Sequence, residues 1–521
     1  MWARARRLAG TAAVRHYAAA APPPRNPAFA RLTAADVAAL QAAAGGEPGS
    51  STSGDHSDPA LTALNTDWTG AFVGASTLAL RPASVGAVSA ILAYCNARRL
   101  AVVPQGGNTG LVGGGVPVYD EVILSTSRLA RVLGVDPDAG TLTAEAGCTL
   151  AALDAAAAEH GLGAPLDIGA RGSCAVGGNL ATAAGGARFI RHGPLRASVL
   201  QLQAVLADGR VVELGKGVRK DNTGFDLKQL LVGSEGCLGV ITRATLAAVP
   251  RPPGPPATSF LAVPSWAAAC ALLGRARRAL GESLAAFEFL DTPALEMALV
   301  EVGRGGGGGG ASRLAPHPLP SSPDPLFILV EASGAEPRHD AEKMETFLEG
   351  ALGAGEASDG VAASSSAQAA ALWALREGAP LALKAAGGAV YKYDVSIPVR
   401  GMWGVVEDAR ARVAQAAGPA TAAHPPPRVI AYGHLGDGNL HLNVSAPGGR
   451  TAALDAALEP WVYEAVSAAG GSLSAEHGVG LLKAPYLGLA QPPVAIALMR
   501  AVKAAFDPHG ILNPYKLFPP E

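Results

Sequence analysis

The stretch GHLGDGNLHLN at residues 433–443 constrains the fold more than any other part of the chain. Asp437-Gly438 suits a two-residue type I′ turn, because both central residues of that turn need a positive φ. A hairpin closed there pairs His434 with His441 at a Cβ separation of about 4.5–5.5 Å, and it puts Asn443 on the face of His441. Two imidazoles at that separation can bind one metal ion. The sequence therefore predicts an antiparallel hairpin that carries half of a metal site.

The other half of the site is expected in a second loop, where Glu476 and His477 stand side by side between small residues. Two histidines and one glutamate with an open position are the ligand set of a catalytic zinc. A histidine pair across a hairpin is also commonly a hydrogen-bonded surface pair, so the hairpin taken alone leaves both interpretations open. The chain has only 11 histidines, and two in register across a tight turn favour the metal site.

Length and composition indicate a globular protein of two or three domains. A chain of 521 residues exceeds an ordinary single core, and 49% hydrophobic with 16% charged residues is not the composition of a disordered chain. A net charge of −2 gives nucleic-acid binding no electrostatic support. No long uncharged apolar segment predicts a membrane span. The five cysteines, without a CxxC pair, favour a reducing compartment over a disulfide framework.

The N-terminus has the composition of a targeting segment. No acidic residue precedes Asp36, whereas six arginines do, among Ala, Leu and Val. This composition is typical of a mitochondrial or chloroplast transit peptide. Arg15-His16-Tyr17 resembles a mitochondrial processing site with cleavage after Tyr17. We therefore predict a transit peptide within residues 1–27 and a location in the mitochondrial matrix.

Hydrophobic patterns divide the rest of the chain into segments and predict an α+β fold. Helices are expected over 84–97, 148–160, 265–280 and 340–352, strands over 100–104, 121–125 and 326–330, and a hairpin at Asp208-Gly209. The proline-rich run at 251–256 is the expected domain boundary. The predicted segments are a polar lead-in (28–75), a first domain (76–254), a second domain (255–460) with a flexible insertion (303–325), and a C-terminal segment (461–521).

Three stretches rich in glycine and mixed with Asn, Thr and Ser lie in the first domain. Without a Cβ, such loops let backbone N–H groups approach a pyrophosphate. None is a GxGxxG motif that opens a helix, which disfavours an ordinary dinucleotide-binding fold. One such loop alone is commonly a turn, but three favour a cofactor site. The candidate cofactor residues are Pro104, Gln105, Gly106, Gly107, Asn108, Thr109, Gly110, Leu111, Asp167, Gly177, Gly178, Asn179, Thr182, Gly185, Gly233, Glu235, Gly236, Gly239 and Ile241.

These motifs resemble a known family. PQGGNTG at 104–110, GGNLAT at 177–182, and GFDL at 224–227 with GSEG at 233–236 resemble the FAD-binding domain of the vanillyl-alcohol oxidase superfamily. The 433–443 hairpin and Glu476-His477-Gly478 resemble its D-2-hydroxyacid dehydrogenase branch. The resemblance covers about residues 70–521.

The resemblance implies a PCMH-type FAD-binding domain at 76–254 and an α+β substrate (cap) domain with an antiparallel sheet at 255–460. The segment 461–521 is then expected to return to the FAD domain and to bring Asn513 near the flavin. Some members attach FAD covalently through a histidine in the first glycine loop. This chain has Asn108 there, which implies non-covalent FAD.

The resemblance also implies roles for the candidate catalytic residues. His434, His441 and Glu476 would bind zinc, or cobalt or manganese in its place. His477 would be the general base that takes the hydroxyl proton while hydride passes to the flavin, or it would only orient the metal.

Arg376 and Lys392 would bind the two ends of a dicarboxylate, and Asn443 would donate to a substrate carboxylate. Relatives that use D-lactate are expected to lack the lysine, so Lys392 favours 2-hydroxyglutarate. The family carries Thr four residues after the arginine, where this chain has Pro380, which offers no hydroxyl.

The expected activity is oxidation of D-2-hydroxyglutarate to 2-oxoglutarate, with an electron-transfer flavoprotein as the acceptor. Two alternatives stay open: a D-lactate or glycolate dehydrogenase on the same scaffold, and a non-catalytic FAD-binding subunit of an electron-transfer complex. The sequence also leaves open whether the chain forms a homodimer.

Overall fold

The computed structural model describes residues 23–305, 314–417 and 425–519. The predicted transit peptide falls mostly on residues 1–22, which lie outside the described residues. Residues 23–27, which the prediction included, contact the folded body. Arg25 Nε lies 2.6 Å from Asp120 Oδ1, and Tyr119 donates its hydroxyl hydrogen to the Pro23 carbonyl.

The described residues form helices and strands throughout the chain. The helices are α1 Ala34–Ala43, α2 Pro59–Asn65, α3 Val85–Arg98, α4 Leu150–Ala158, α5 Val176–Ala181, α6 Phe189–His192, α7 Lys228–Leu231, α8 Trp266–Ala279, α9 Thr292–Gly305, α10 Pro337–Gly353, α11 Ser366–Ala385, α12 Val399–Ala416, α13 Ala452–Leu458, α14 Trp461–Ala468, α15 Leu487–Ala490 and α16 Pro493–Phe506. The strands are β1 Ser51–Ser53, β2 Leu78–Leu80, β3 Val102–Gln105, β4 Val122–Ser125, β5 Val132–Asp136, β6 Thr141–Glu145, β7 Leu162–Gly163, β8 Val199–Val205, β9 Val211–Gly215, β10 Val240–Ala247, β11 Val249–Pro250, β12 Ala257–Val263, β13 Leu284–Asp291, β14 Leu326–Ala332, β15 Asp359–Ala362, β16 Ala389–Ser396, β17 Arg428–His434 and β18 Asn439–Ala446.

The first half of the described chain builds two main sheets. One has the order β1-β2-β4-β3, with β2, β4 and β3 parallel, and the other is antiparallel in the order β5-β6-β10-β8-β9. The expected lead-in at 28–75 is part of this fold, because β1 pairs with β2 and α1 packs on the first sheet. The C-terminal segment also reaches this sheet, where Val102 donates its N–H to the Ile511 carbonyl.

The second half builds one larger sheet. Its strands are all antiparallel, in the order β15-β12-β14-β13-β17-β18-β16. Helices α8, α10 and α12 cover one face, and α9 and α11 cover the other. Because both faces are covered, β14 is buried along its whole length, and its sequence is a nearly continuous apolar run.

The predicted hairpin of β17 and β18 is present, but its predicted register is wrong. His441 lies opposite Tyr432 and not opposite His434, and residues 435–438 form a four-residue loop in place of a two-residue turn. The register is shifted by two residues, which is one full period of side-chain alternation. His434 therefore stays on the same face of the sheet as His441.

The physical reason lies in the loop itself and in its neighbours. Only Gly438 has a positive φ, of 82°, whereas a type I′ turn would require one at Asp437 as well. The neighbouring elements hold the wider loop, since Gly436 donates its N–H to the Phe287 carbonyl and accepts a hydrogen bond from Arg277. Tertiary contacts therefore override the preference of the Asp-Gly dipeptide.

The predicted insertion at 303–325 overlaps with a helix at its start and contacts the sheet near its end. Helix α9 runs to Gly305, and residues 306–313 lie outside the described residues. Residues 314–325 pack against the sheet, where Leu319 is buried beside Phe327 and the ring of His317 contacts the same phenylalanine. Most residues of 314–325 are exposed or half-buried, as a surface segment requires, but Leu319 is buried, and the flexibility of the segment stays a prediction.

The remaining local predictions agree with the observed elements. Helices α3, α4, α8 and α10 occupy the four predicted helical segments, and β8 and β9 form the hairpin around Asp208-Gly209. None of the helices in the described part of the chain combines the length and the apolar character that crossing a membrane requires.

A buried carboxylate joins α1 to α3. Asp36, 1% exposed, accepts hydrogen bonds from the backbone and hydroxyl of Thr33, from the Tyr94 hydroxyl and from Arg98. The guanidinium of Arg98 and these further donors hold the pKa of Asp36 well below its usual range. The charged form of Asp36 therefore stabilises the folded state.

We expect Asp36→Asn to lower the free energy of unfolding by about 2 kcal/mol at pH 7, the contribution of hydrogen bonds to a charged group. Because the folded pKa is depressed, this contribution is complete above the unfolded value of about 4 and is lost as pH falls below it. Denaturant titrations at several pH values should show the two proteins converging in acid. Asp58→Asn, at the exposed cap of α2, is the matched control and should change stability by less than half as much.

Candidate active site

Two adjoining cavities lie between the halves of the fold. The larger, of about 450 Å³, is lined by the glycine-rich stretches, and the smaller, of about 230 Å³, lies over β13, β16, β17 and β18 beside α11. Residues that line both cavities join them into one site, and they are Leu111, Ile168, Gly169, Glu377, Pro380, Lys392, Glu476 and His477.

The glycines of the larger cavity serve two different purposes. At Gly110 and Gly178 a Cβ atom would meet no other atom within 4 Å, so the backbone there is open to a ligand. At Gly107 a Cβ would lie 1.9 Å from the Ser173 carbonyl oxygen, so this glycine lets two loops pack closely. A large cavity with bare backbone along its wall fits a phosphate-bearing cofactor such as FAD.

Most of the predicted cofactor residues line this site. Those in the wall of the larger cavity are Pro104, Gln105, Gly106, Gly107, Asn108, Thr109, Gly110, Leu111, Gly177, Gly178, Asn179, Thr182, Gly185, Glu235, Gly236, Gly239 and Ile241, and Asp167 lines the smaller one.

Gly233 and Asn513 do not line either cavity. Gly233 donates its N–H to Leu180, and the Asn513 amide donates to the carbonyls of Gly114 and Glu235. These two residues therefore support the loops from behind. The GFDL part of the third stretch is on the surface, with Phe225 95% exposed.

Three imidazoles converge on one carboxylate oxygen. The Nε2 atoms of His434, His441 and His477 lie 3.7, 3.5 and 3.7 Å from Glu476 Oε1. The predicted metal ligands His434, His441 and Glu476 are thus brought together, although His434 is not the cross-strand partner of His441. The donor set of two imidazoles and one carboxylate fits zinc.

A second donor set overlaps with the first. Ligand atoms of Asp394, His441, Glu476 and His477 lie within 4.8 Å of one another. Asp394, however, faces the Nδ1 atoms of His441 and His477, at 3.6 and 3.7 Å. Its oxygens also accept hydrogen bonds from Asn439 and from backbone N–H groups. Asp394 is therefore better placed to orient the imidazoles from behind than to bind an ion beside Glu476.

The loop that carries Glu476 and His477 is fixed by two buried carboxylates. Asp394 Oδ2 accepts the N–H groups of Glu476 and His477 at 3.0 and 2.9 Å. Glu235 accepts those of Val479 and Gly480, both at 2.7 Å. Because Asp394 is on β16 and Glu235 is in a glycine-rich loop of the larger cavity, the two parts of the fold position this loop together.

The charges of the cluster follow from burial and from its carboxylates. Burial disfavours protonation of His434, but Glu288 and Glu476 outweigh it and raise its pKa to about 10. Burial would raise the pKa of Glu476, yet the neighbouring imidazoles lower it to about 2. Burial lowers the pKa of both His441 and His477. Glu476 is thus charged and His477 is neutral near pH 7, the states that a metal ligand and a proton acceptor need. His434 is protonated in the metal-free cluster and must release a proton when a metal ion binds.

The predicted substrate residues are also in the smaller cavity. Arg376, 6% exposed, donates from Nε to Glu288, and its buried Nη2 has no hydrogen-bond partner among the described residues. Lys392 lies opposite Asn443 on the neighbouring strand, and burial, then the charge of Lys384, lowers its pKa to about 8. The Asn443 amide donates to the His441 carbonyl, and its side chain also forms a hydrogen bond with Tyr432.

Several residues of the site were not predicted from the sequence, and four of them carry polar or aromatic contacts that the site depends on. Trp68, in the expected lead-in, lines the larger cavity, and Glu288, Asp394 and Tyr432 line the smaller. A signal existed for Asp394, which shares a strand face with Lys392. No local pattern marks Glu288, because its partners lie 88 and 146 residues away.

Comparison with known families agrees with this architecture. A model described as "FAD binding domain" matches residues 76–215, and one described as "FAD linked oxidases, C-terminal domain" matches residues 253–517. The second match begins within the proline-rich run at 251–256.

Relatives with assigned names match nearly the whole chain. The mitochondrial D-2-hydroxyglutarate dehydrogenase of Bos taurus is 46% identical over 87% of this chain and 79% of its own length. The chain belongs to the D-2-hydroxyglutarate dehydrogenase family of FAD-linked oxidoreductases. The family member of the same name from Arabidopsis thaliana, also mitochondrial, is 43% identical over 95% of this chain and 83% of its own length. The prediction of an FAD-dependent oxidoreductase is confirmed.

A solved structure supports the fold alone. The crystal structure of p-cresol methylhydroxylase with substrate bound superimposes with a TM-score of 0.72 at 15% identity, over 92% of this chain and 96% of that chain. The predicted PCMH-type α+β architecture is thereby confirmed.

We expect Gly178→Ala to weaken FAD binding without weakening the fold. The new methyl group would enter the open cavity, where overpacking costs about 1–3 kcal/mol, or about 5- to 150-fold in affinity. Alanine within α5 is itself favourable by up to about 1 kcal/mol. Flavin content after purification and FAD titration of the apoprotein measure the effect. Gly172→Ala, at a site with equal free space outside both cavities, should bind FAD normally.

Proposed function

We propose that this protein is a mitochondrial FAD- and zinc-dependent dehydrogenase that oxidises D-2-hydroxyglutarate to 2-oxoglutarate. The observation that carries the proposal is the content of the smaller cavity. It holds side chains that could bind a metal, a neutral histidine, and two cations, Arg376 and Lys392. Arg376 has a buried donor with no partner among the described residues. A 2-hydroxy dicarboxylate has a hydroxyl group for the metal and the histidine, and one carboxylate for each of the two cations.

FAD would be held by the backbone of the loops at 104–111, 177–185 and 235–241, which line the larger cavity. When bound, it supplies the two-electron acceptor for the hydrogen on the hydroxyl-bearing carbon. The chain has Asn108 where a covalent histidine stands in some relatives, and the Asn108 amide donates to the Thr66 carbonyl. FAD is therefore proposed to bind without a covalent link.

His434, His441 and Glu476 would hold the metal. A bound divalent cation lowers the pKa of a coordinated hydroxyl and neutralises the alkoxide that forms from it. Zinc is the ion that this ligand set favours. The two imidazoles are held by strands β17 and β18 of the larger sheet. The carboxylate is held by the loop that Asp394 and Glu235 fix.

His477 is proposed to take the hydroxyl proton. It lines both cavities, so it lies where the substrate and the flavin must meet. Its Nδ1 lies 3.7 Å from Asp394, which orients the ring and stabilises it once protonated. As the proton leaves the hydroxyl oxygen, the Cα–H bond breaks and the electron pair of that bond leaves with the hydrogen, so the product is a 2-oxo acid.

Arg376 and Lys392 are proposed to select a dicarboxylate. Nη2 of Arg376 would provide a charge-assisted hydrogen bond to one carboxylate, and Lys392 would provide a point charge for the other. Pro380, at the position where the family carries Thr, lines the same cavity. The substrate is therefore proposed to be held without the hydroxyl contact at that position.

The two electrons must leave the flavin after each turnover. We propose an electron-transfer flavoprotein as the acceptor, in keeping with the mitochondrial location in the names of the relatives.

Lys392→Met is expected to lower kcat/KM for D-2-hydroxyglutarate by about 10- to 100-fold, because a charge-assisted bond contributes about 1.5–3 kcal/mol. Activity on D-lactate, which has no second carboxylate, should change by less than threefold. Steady-state kinetics with an artificial electron acceptor measure both. Equal loss on both substrates, or a wild-type preference for D-lactate, would contradict the proposed substrate.

Removal of the metal by dialysis against a chelator should abolish reduction of the flavin by D-2-hydroxyglutarate. Zinc should restore it. Dithionite should reduce the flavin equally before and after dialysis, which shows that FAD is still bound. Anaerobic absorbance spectra follow each step, and substrate reduction at full rate in metal-free enzyme would refute the metal requirement.

A further inference from the structure

Glu288 connects the metal cluster to the substrate arginine. It lies on β13 directly opposite His434, and its side chain is 1% exposed. The carboxylate lies 2.8 Å from His434 Nδ1 and 2.9 Å from Arg376 Nε. One buried carboxylate thus touches both a proposed metal ligand and a proposed substrate ligand.

The contact with His434 decides which nitrogen of the ring is available to a metal ion. An ionised carboxylate can only accept, so Nδ1 must carry the hydrogen. A metal ion can therefore displace a proton only from Nε2, which then presents its lone pair toward Glu476 and His441, as a metal ligand requires. Glu288 therefore fixes both the tautomer and the ring orientation.

The contact with Arg376 decides which edge of the guanidinium faces the cavity. Glu288 occupies the Nε–H, and the guanidinium stacks 5.0 Å from the centre of the Tyr432 ring. These two contacts fix its plane and leave the buried Nη2 donor without a partner among the described residues. A substrate carboxylate can then be bound through Nη2 without any movement of the arginine.

We propose that Glu288 is a positioning residue that prepares metal binding at His434 and carboxylate binding at Arg376 together. This proposal rests on the proposed function, since it concerns the metal and the dicarboxylate of that site. It requires a side chain with two acceptor oxygens, because each partner donates. A glutamine offers one oxygen and one NH₂ group, so it must turn a donor toward one of the two partners.

Glu288→Gln tests the proposal without depending on turnover. Zinc affinity of the metal-free, FAD-loaded enzyme is measured by competition with a chromophoric chelator. Loss of an orienting partner of a metal-bound histidine typically costs about 10- to 100-fold in affinity. We expect a loss in this range, together with a rise of about tenfold in KM for D-2-hydroxyglutarate at saturating zinc, the effect of one displaced charge-assisted bond.

Glu331→Gln is the matched control. Glu331 is an equally buried carboxylate on the neighbouring strand β14, paired with Arg188 and the Trp373 indole. It contacts none of the proposed metal or substrate ligands. Its zinc affinity and KM should stay within twofold of wild type, which separates positioning from a general effect of losing a buried charge.

The outcomes separate the two proposals. A wild-type protein that binds no zinc overturns the metal site of the proposed function and this inference with it. A wild-type protein that binds zinc, with Glu288→Gln unchanged in zinc affinity and KM, overturns the inference alone. If Glu288→Gln does not fold, Glu288→Asp replaces it. Withdrawal of the carboxylate by one methylene should weaken zinc binding or raise KM, and no change in either overturns the inference.

Discussion

The buried carboxylate of Asp394 is surrounded by donors on every side. It accepts the backbone N–H groups of Glu476 and His477 and the Asn439 amide, and the Nδ1 atoms of His441 and His477 lie within 3.7 Å. The imidazole of His477, the ammonium of Lys483 and these hydrogen bonds outweigh burial and hold its pKa well below the usual range. A charge buried in this way is tolerated only if it stays paired. The positions of the donors are thereby fixed, and the proposed catalytic cluster is built from them.

Glu235 fixes the loop that carries Glu476 and His477 from the opposite side. It belongs to a glycine-rich loop that lines the larger cavity, yet both of its oxygens bind the N–H groups of Val479 and Gly480. Between the two carboxylates, Gly478 has a φ of 84°, and a Cβ there would lie 2.9 Å from Glu235 Oε1. The loop must therefore pass close to both carboxylates, and glycine permits this. A shift of the cofactor loops would be transmitted directly to Glu476 and His477.

Local sequence predicted helices and strands well where hydrophobic periodicity or turn residues within the element determine its structure. Helices α3 and α8 and the hairpin at Asp208-Gly209 have the predicted bounds to within a few residues. Prediction from local sequence failed where contacts with a distant part of the chain determine the local structure. The loop at 435–438 is held by Phe287 and Arg277, and Leu319 is buried by residues of the sheet beneath it. The error in the hairpin register did not affect the predicted site, because a shift of two residues leaves His434 and His441 on the same face of the sheet.

The amino-acid sequence by itself determined which chemical groups are available: glycine-rich loops with bare backbone, two histidines on one face of a hairpin, and a Glu-His pair. These are set by residue type and by spacing over a few positions. The tertiary structure alone decided that Glu476 lies among three imidazoles, that Glu288 bridges His434 and Arg376, and that Asp394 and Glu235 hold one loop from two sides. Such contacts join residues up to 245 positions apart. They exist because burial leaves each charged group no water, so it must find a partner wherever the packed sheets and loops bring one.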